Sequence, residues 1–107
     1  MLFRSIFRRL ALALPGAEEK SHLGKADFRV KNKIFATLLD AETGVVKLAP
    51  EHQEMMVVAE PDVFKPIRGG WGQQGWTRVD LAKADEITLK SALQTAWRNV
   101  APKTLKI

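Results

Sequence analysis

The stretch from Asp27 to Asp40 constrains the fold of this chain more than any other. It carries Phe28, Val30, Ile34, Phe35, Thr37, Leu38 and Leu39, the β-branched and aromatic enrichment typical of strands. Asn32-Lys33 in its middle predicts a two-residue turn, because Asn accepts the positive φ such turns require. That register would pair Val30 with Phe35 and Phe28 with Thr37 on one face, leaving Arg29 and Lys31 on the other.

What surrounds this hairpin must supply its core without covalent help. The chain has no cysteine, which excludes disulfides, thiolate metal sites and cysteine nucleophiles and suits a reducing cytoplasm. Its 107 residues fit one domain spanning 1–107, and 46% hydrophobic with 27% charged residues is ordinary globular usage. The first segment, Met1 to Leu14, is basic and amphipathic like a targeting peptide. Its uninterrupted apolar run, Leu10–Leu14, falls short of the ~7–15 residues of a secretory core and the ~20 of a membrane span. Phe3, Ile6, Phe7, Leu10 and Leu14 instead recur at helical spacing, and Pro15-Gly16 stops the helix.

The remaining elements follow from local signals. Glu18–Gly24 is polar and loop-like. Asp40–Gly44 is a turn, and Val45–Leu48 is a short third strand. Pro50 suits the first position of a helix, with Glu51 and Glu54 near its positive end and Pro61 beyond it. Phe64–Ile67 reads as an edge strand because Pro66 cannot donate to a ladder. Arg68–Gly75, with four glycines, reads as an exposed or tightly turned loop. Trp76–Leu81 alternates, with Thr77, Val79 and Leu81 facing one way and Trp76, Arg78 and Asp80 the other. A last helix, capped by Asp85 or Thr88, buries Leu89, Leu93, Ala96, Trp97 and Val100. The expected fold is α+β: an antiparallel sheet with helices packed on it, in the order α-β-β-β-α-β-β-α.

Leu14-Pro15-Gly16-Ala17-Glu18-Glu19, His22, Phe28-Arg29-Val30 and Lys33-Ile34-Phe35-Ala36 resemble the front half of the MmcQ/YjbR-like family. Gly75-Trp76, Asp80-Leu81, Ala96-Trp97 and Val100-Ala101-Pro102-Lys103 are similar to its back half. The resemblance implies a compact α+β domain related to the double-wing DNA-binding module of the phage transcription factor MotA, and DNA binding as the activity. Three positions depart from the family's pattern. Ala26-Asp27 stands in place of Pro and a small residue, Asn32 in place of a turn Gly, and Gln73-Gln74 where a basic residue is frequent.

Two surfaces are candidates for a partner. The first is basic: Lys25, Arg29, Lys31 and Lys33 around the hairpin, where Arg29 and Lys31 would reach phosphates or simply solvate the face. The second is Lys65, Arg68, Trp71, Gln73, Gln74, Trp76 and Arg78, within a run from Val63 to Val79 that holds no acidic residue. Trp stacks on exposed bases, Arg and Lys meet phosphates, and Gln hydrogen-bonds to either. Trp76 can equally pack inward, which makes Trp71 the better candidate for exposure. Trp97 belongs to the core.

The glycines do not form a phosphate-binding loop, since no Lys-Ser/Thr completes it and a strand follows. His22 and His52 are the only histidines, and Glu18, Glu19 and His22 lack the further pair a divalent metal wants. Ser21 is next to His22 in sequence, which does not orient a base toward it. No cofactor or catalytic constellation emerges, so the expectation is a non-enzymatic, cytoplasmic domain that binds nucleic acid, most naturally DNA, and no membrane. With 17 Lys+Arg against 12 Asp+Glu, a net charge of +5 favours polyanions. A protein-interaction or small-ligand module using the same Trp loop is the alternative.

Overall fold

The computed structural model describes residues 3–107. Its elements run α1 (Phe3–Leu12), β1 (Ala17–His22), β2 (Lys25–Val30), β3 (Lys33–Asp40), β4 (Thr43–Lys47), α2 (Pro50–Ala59), β5 (Phe64–Pro66), α3 (Gly70–Gln73), β6 (Trp76–Asp80) and α4 (Glu86–Val100). The strands form one antiparallel sheet of order β1-β2-β3-β4-β6-β5. The α+β class and the sheet with packed helices are as expected, and the expected elements occur in order with β1 and α3 inserted among them. Met1 and Leu2, the start of the segment weighed as a targeting peptide, lie outside the described residues. Among those residues no helix is long and apolar enough to cross a membrane.

One face of the sheet is covered by helices. Phe7 and Leu10 of α1 and Leu89, Ala92, Leu93, Ala96 and Trp97 of α4 pack on Phe28, Val30, Phe35, Val46 and Val79, all buried. Each large side chain so buried contributes ~1.5–3 kcal/mol by leaving water. Asp85 caps α4, its carboxylate accepting from the Thr88 amide at 2.7 Å. At the other end of the stripe Trp97 Nε1 donates to the Pro15 carbonyl at 2.8 Å. That bond ties the Leu-Pro-Gly turn to the last helix, so the two halves of the family resemblance meet in the core.

The hairpin forms one residue earlier than expected. Lys31 and Asn32, not Asn32 and Lys33, take positive φ, 49° and 65°. Two consecutive positive φ values suit a tight turn twisted like the strands it joins. Val30 therefore pairs with Lys33 and Phe28 with Ala36, and Phe35 is the extra residue of a bulge. The bulge explains why Phe35 and Ala36, adjacent in sequence, are both fully buried. It also removes Lys31 from the strand face it was expected to share with Arg29.

Glu18–Gly24, expected as a loop, is mostly strand β1, paired with β2 along its whole length. Every residue of β1 after Ala17 is exposed, so backbone pairing forms the strand with no apolar alternation to signal it. Arg68–Gly75 likewise contains one short helical turn, α3.

Candidate functional site

The other face of the sheet carries no helical layer. Register fixes what points there: Asp27 and Arg29 from β2, Ile34 and Thr37 from β3, Val45 and Lys47 from β4, Trp76 and Arg78 from β6, and Lys65 from β5. Ile34, Thr37, Val45, Trp76, Ile67, Trp71 and His22 line a shallow apolar cavity of about 340 Å³.

Its aromatic wall is built by the glycine loop. α3 lifts Trp71 beside Trp76, with ring centroids 6.2 Å apart and planes at 63°, an edge-to-face contact. Trp71 remains 63% exposed, while Trp76 is half-buried. Lys47 lies over the Trp76 ring, Nζ 5.4 Å from its centroid. Two glycines set this geometry. A Cβ on Gly72 would strike the Ile67 carbonyl, and one on Gly75 would strike the Leu48 carbonyl. Gly75 also has φ near 101°.

A residue from the covered side holds the loop in place. Gln53 of α2 brings its Nε2 within 3.0 Å of the Gly72 carbonyl, 3.0 Å of the Thr77 hydroxyl oxygen and 3.3 Å of the Trp76 carbonyl. The Thr77 hydroxyl in turn donates to the Gly75 carbonyl at 2.9 Å. Sequence reasoning missed Gln53, a lone amide in a helix with no motif around it.

The rim of the cavity holds a buried ion pair. Asp27 has no exposed side-chain surface, and Arg29 donates to both its oxygens, Nε to Oδ1 at 2.7 Å and Nη2 to Oδ2 at 3.1 Å. Arg29 Nη1 also donates to the Asn32 side chain at 3.2 Å. His22 Nδ1 lies 3.6 Å from Asp27 Oδ2, an ion-pair contact when the ring is protonated. The Arg29 hydrogen bond holds the Asp27 carboxyl below the ordinary range against the opposing effect of burial, and the charges of Arg29 and His22 act in the same direction. Arg29's own ionisation is pushed up by that hydrogen bond. Its charge is thus already matched, and Lys31 stands apart on the turn.

The other sequence-predicted residues divide between two further depressions. Lys65 and Arg78 are register partners and line a polar one of about 240 Å³ with Glu42, Asp62, Asp80 and Lys83, where acids offset the cations. Gln74 lines another, of about 440 Å³, with Lys33, Lys47 and Asn99 and no acid. Arg68 and Gln73 are exposed on either side of Trp71. Trp71 lines the apolar cavity, Lys47 lies over Trp76, and Lys65 and Arg78 share the open face near β5. Lys33, the register partner of core-facing Val30, and Gln74 instead belong to a depression that also takes in Asn99 and Val100 of α4. Among the described residues no group of three or more His, Cys, Asp or Glu is placed to hold a metal ion.

Fold and site together define a two-layer α+β domain with one sheet face left open. The chain belongs to the YjbR family, whose model matches residues 12–99. Among solved structures it is similar to the crystal structure of Deinococcus radiodurans protein DR2400, described as a DUF419 domain. The two share 21% identity at a TM-score of 0.74, over 92% of this chain and 78% of that one. At that identity the likeness concerns the fold. No curated protein matches this chain.

Proposed function

We propose that the open sheet face binds nucleic acid, as the family resemblance implies, and that it does so without catalysis. The observation that supports this reading is Trp71: a 63% exposed indole at the mouth of an apolar cavity whose lining includes no acid. An aromatic platform flanked by cations is what a nucleic-acid strand needs, since bases stack on the ring and phosphates meet the charges. Lys47, over the Trp76 ring, supplies one such charge, and Arg68, exposed three residues before Trp71 in the chain, supplies another.

The non-catalytic reading rests on the site's chemistry. Base catalysis by His22 would require a nucleophile or transferable proton within hydrogen-bond reach. His22 instead faces Asp27 at 3.6 Å on an open, hydrated surface. Fluorescence anisotropy with labelled oligonucleotides tests the proposal. Binding should weaken steeply between low and moderate salt as counterions are released. No binding at low salt would sink it, and binding indifferent to salt would favour a protein or small-ligand partner instead.

A further inference from the structure

We propose further, on the reading that this face binds nucleic acid, that its apolar cavity takes one unpaired base of a single strand. The base stacks on Trp71, and His22 meets its polar edge. A volume of about 340 Å³ lies at the small end of the ~300–1,000 Å³ range of ligand pockets, which suits one heterocycle. The walls are flat or branched and apolar: Trp71, Trp76, Ile34, Val45 and Ile67. Besides the two indole N–H groups, His22 and Thr37 bring polar groups to this lining, as expected for a site that recognises a planar ring and orients it by a few hydrogen bonds.

A duplex cannot use such a cavity without disruption. Its bases are stacked and paired, and only an unstacked base offers a face to an indole. Charge complementarity points the same way. Lys47 Nζ sits 5.4 Å from the Trp76 ring centre, so a phosphate flanking a seated base has a cation beside it.

His22 borders a buried carboxylate on its inner side, 3.6 Å away. Its Nδ1 faces the buried Asp27 carboxylate, whose two oxygens are fixed by Arg29. That contact leaves Nε2, across the ring, as the nitrogen presented to a ligand. Asp27 and Arg29 are positioning residues, because they act through the imidazole and do not touch the base themselves.

Three probes of equal length separate the possibilities at low salt: oligothymidylate, an abasic oligomer with the same phosphates, and a blunt duplex. Oligothymidylate should bind about tenfold tighter than the abasic oligomer and quench tryptophan emission. Trp71→Ala should abolish both the preference and most of the quenching, while Trp71→Phe, which still stacks, should keep the preference. Unchanged urea midpoints would show both variants folded. His22→Ala should weaken oligothymidylate binding severalfold, by the loss of about one hydrogen bond to the base, and leave abasic binding unchanged. Equal affinity for the abasic oligomer, or for the duplex, overturns the inference while nucleic-acid binding stands. Failure of all three probes to bind overturns the nucleic-acid reading itself.

Discussion

The two faces of the sheet use the same residue types to opposite ends, and the tryptophans show it. On the covered face Trp97 is 1% exposed and its indole N–H is spent on the Pro15 carbonyl. On the open face Trp71 keeps most of its ring in water and touches mainly another tryptophan. The covered face is almost wholly apolar, whereas the open face buries an Arg–Asp pair at the edge of an apolar hollow. Polar groups cost free energy when buried, and here the cost is offset because Arg29 donates to both Asp27 oxygens. One face is committed to stability, and the other is arranged around a ligand-sized space.

The largest test of that division is Trp97→Ala. It should cost ~3–5 kcal/mol, since a large cavity opens and the Pro15 carbonyl loses its donor, and urea denaturation would read it. A loss below about 1 kcal/mol would mean the covered face is not the principal core.

Asp27→Ala comes next, at about 2 kcal/mol. That is less than the ~3–5 of a fully buried pair, because Arg29 keeps 20% of its side chain in water. Acid should reproduce part of the effect. Asp27 is held below its ordinary range when folded, so the unfolded chain binds more protons, and stability falls as pH drops. The contribution is complete above the unfolded carboxylate value of about 3.9 and is lost as pH falls through the folded one. Asp40 and Asp85 are lowered too, by hydrogen bonds from the Glu42 and Thr88 amides, so Asp27→Asn should shallow the acid limb without removing it. An unchanged acid limb would show that the pair contributes nothing.

Trp71→Ala should separate the faces most cleanly. Its effect on stability should lie within about 0.5 kcal/mol, as for an exposed side chain, while nucleic-acid affinity drops by ~1–3 kcal/mol. A large stability loss would place Trp71 in the core after all. The smallest expected effect is on the charges. Replacing Lys47 by Ala should reduce the salt slope of single-strand binding by about 0.7 for the phosphate no longer neutralised. The same change at Lys65 and Arg78 should do less, because Glu42, Asp62 and Asp80 already offset those cations.

Much of the covered face was legible in the sequence. The helical spacing of Phe7 and Leu10, the stripe ending at Trp97, the alternation of Thr77 and Val79 and the Asp85 cap are all periodic or local signals. β1 escaped notice because an exposed edge strand needs no apolar pattern, only backbone partners. The turn was displaced by one residue because the bulge at Phe35 lets both Phe35 and Ala36 face the core, which strict alternation forbids.

The candidate site was less legible, for a related reason. Trp71 and the acid-free run around it marked one wall. His22, Asp27, Ile34, Thr37, Val45 and Lys47 come from four other strands, and their assembly depends on register across the sheet. Arg29 looked like a free cation until β2 placed Asp27 two residues away on the same face. Spacing and composition along the chain thus suffice for the α+β class, and the motifs carry the family resemblance, whereas the exposure of Trp71, for which the glycine loop made it only the better candidate, came from the structure. Where the apolar hollow lies and that Gln53 pins its wall emerge only once the chain is folded, because those are contacts between residues far apart in sequence.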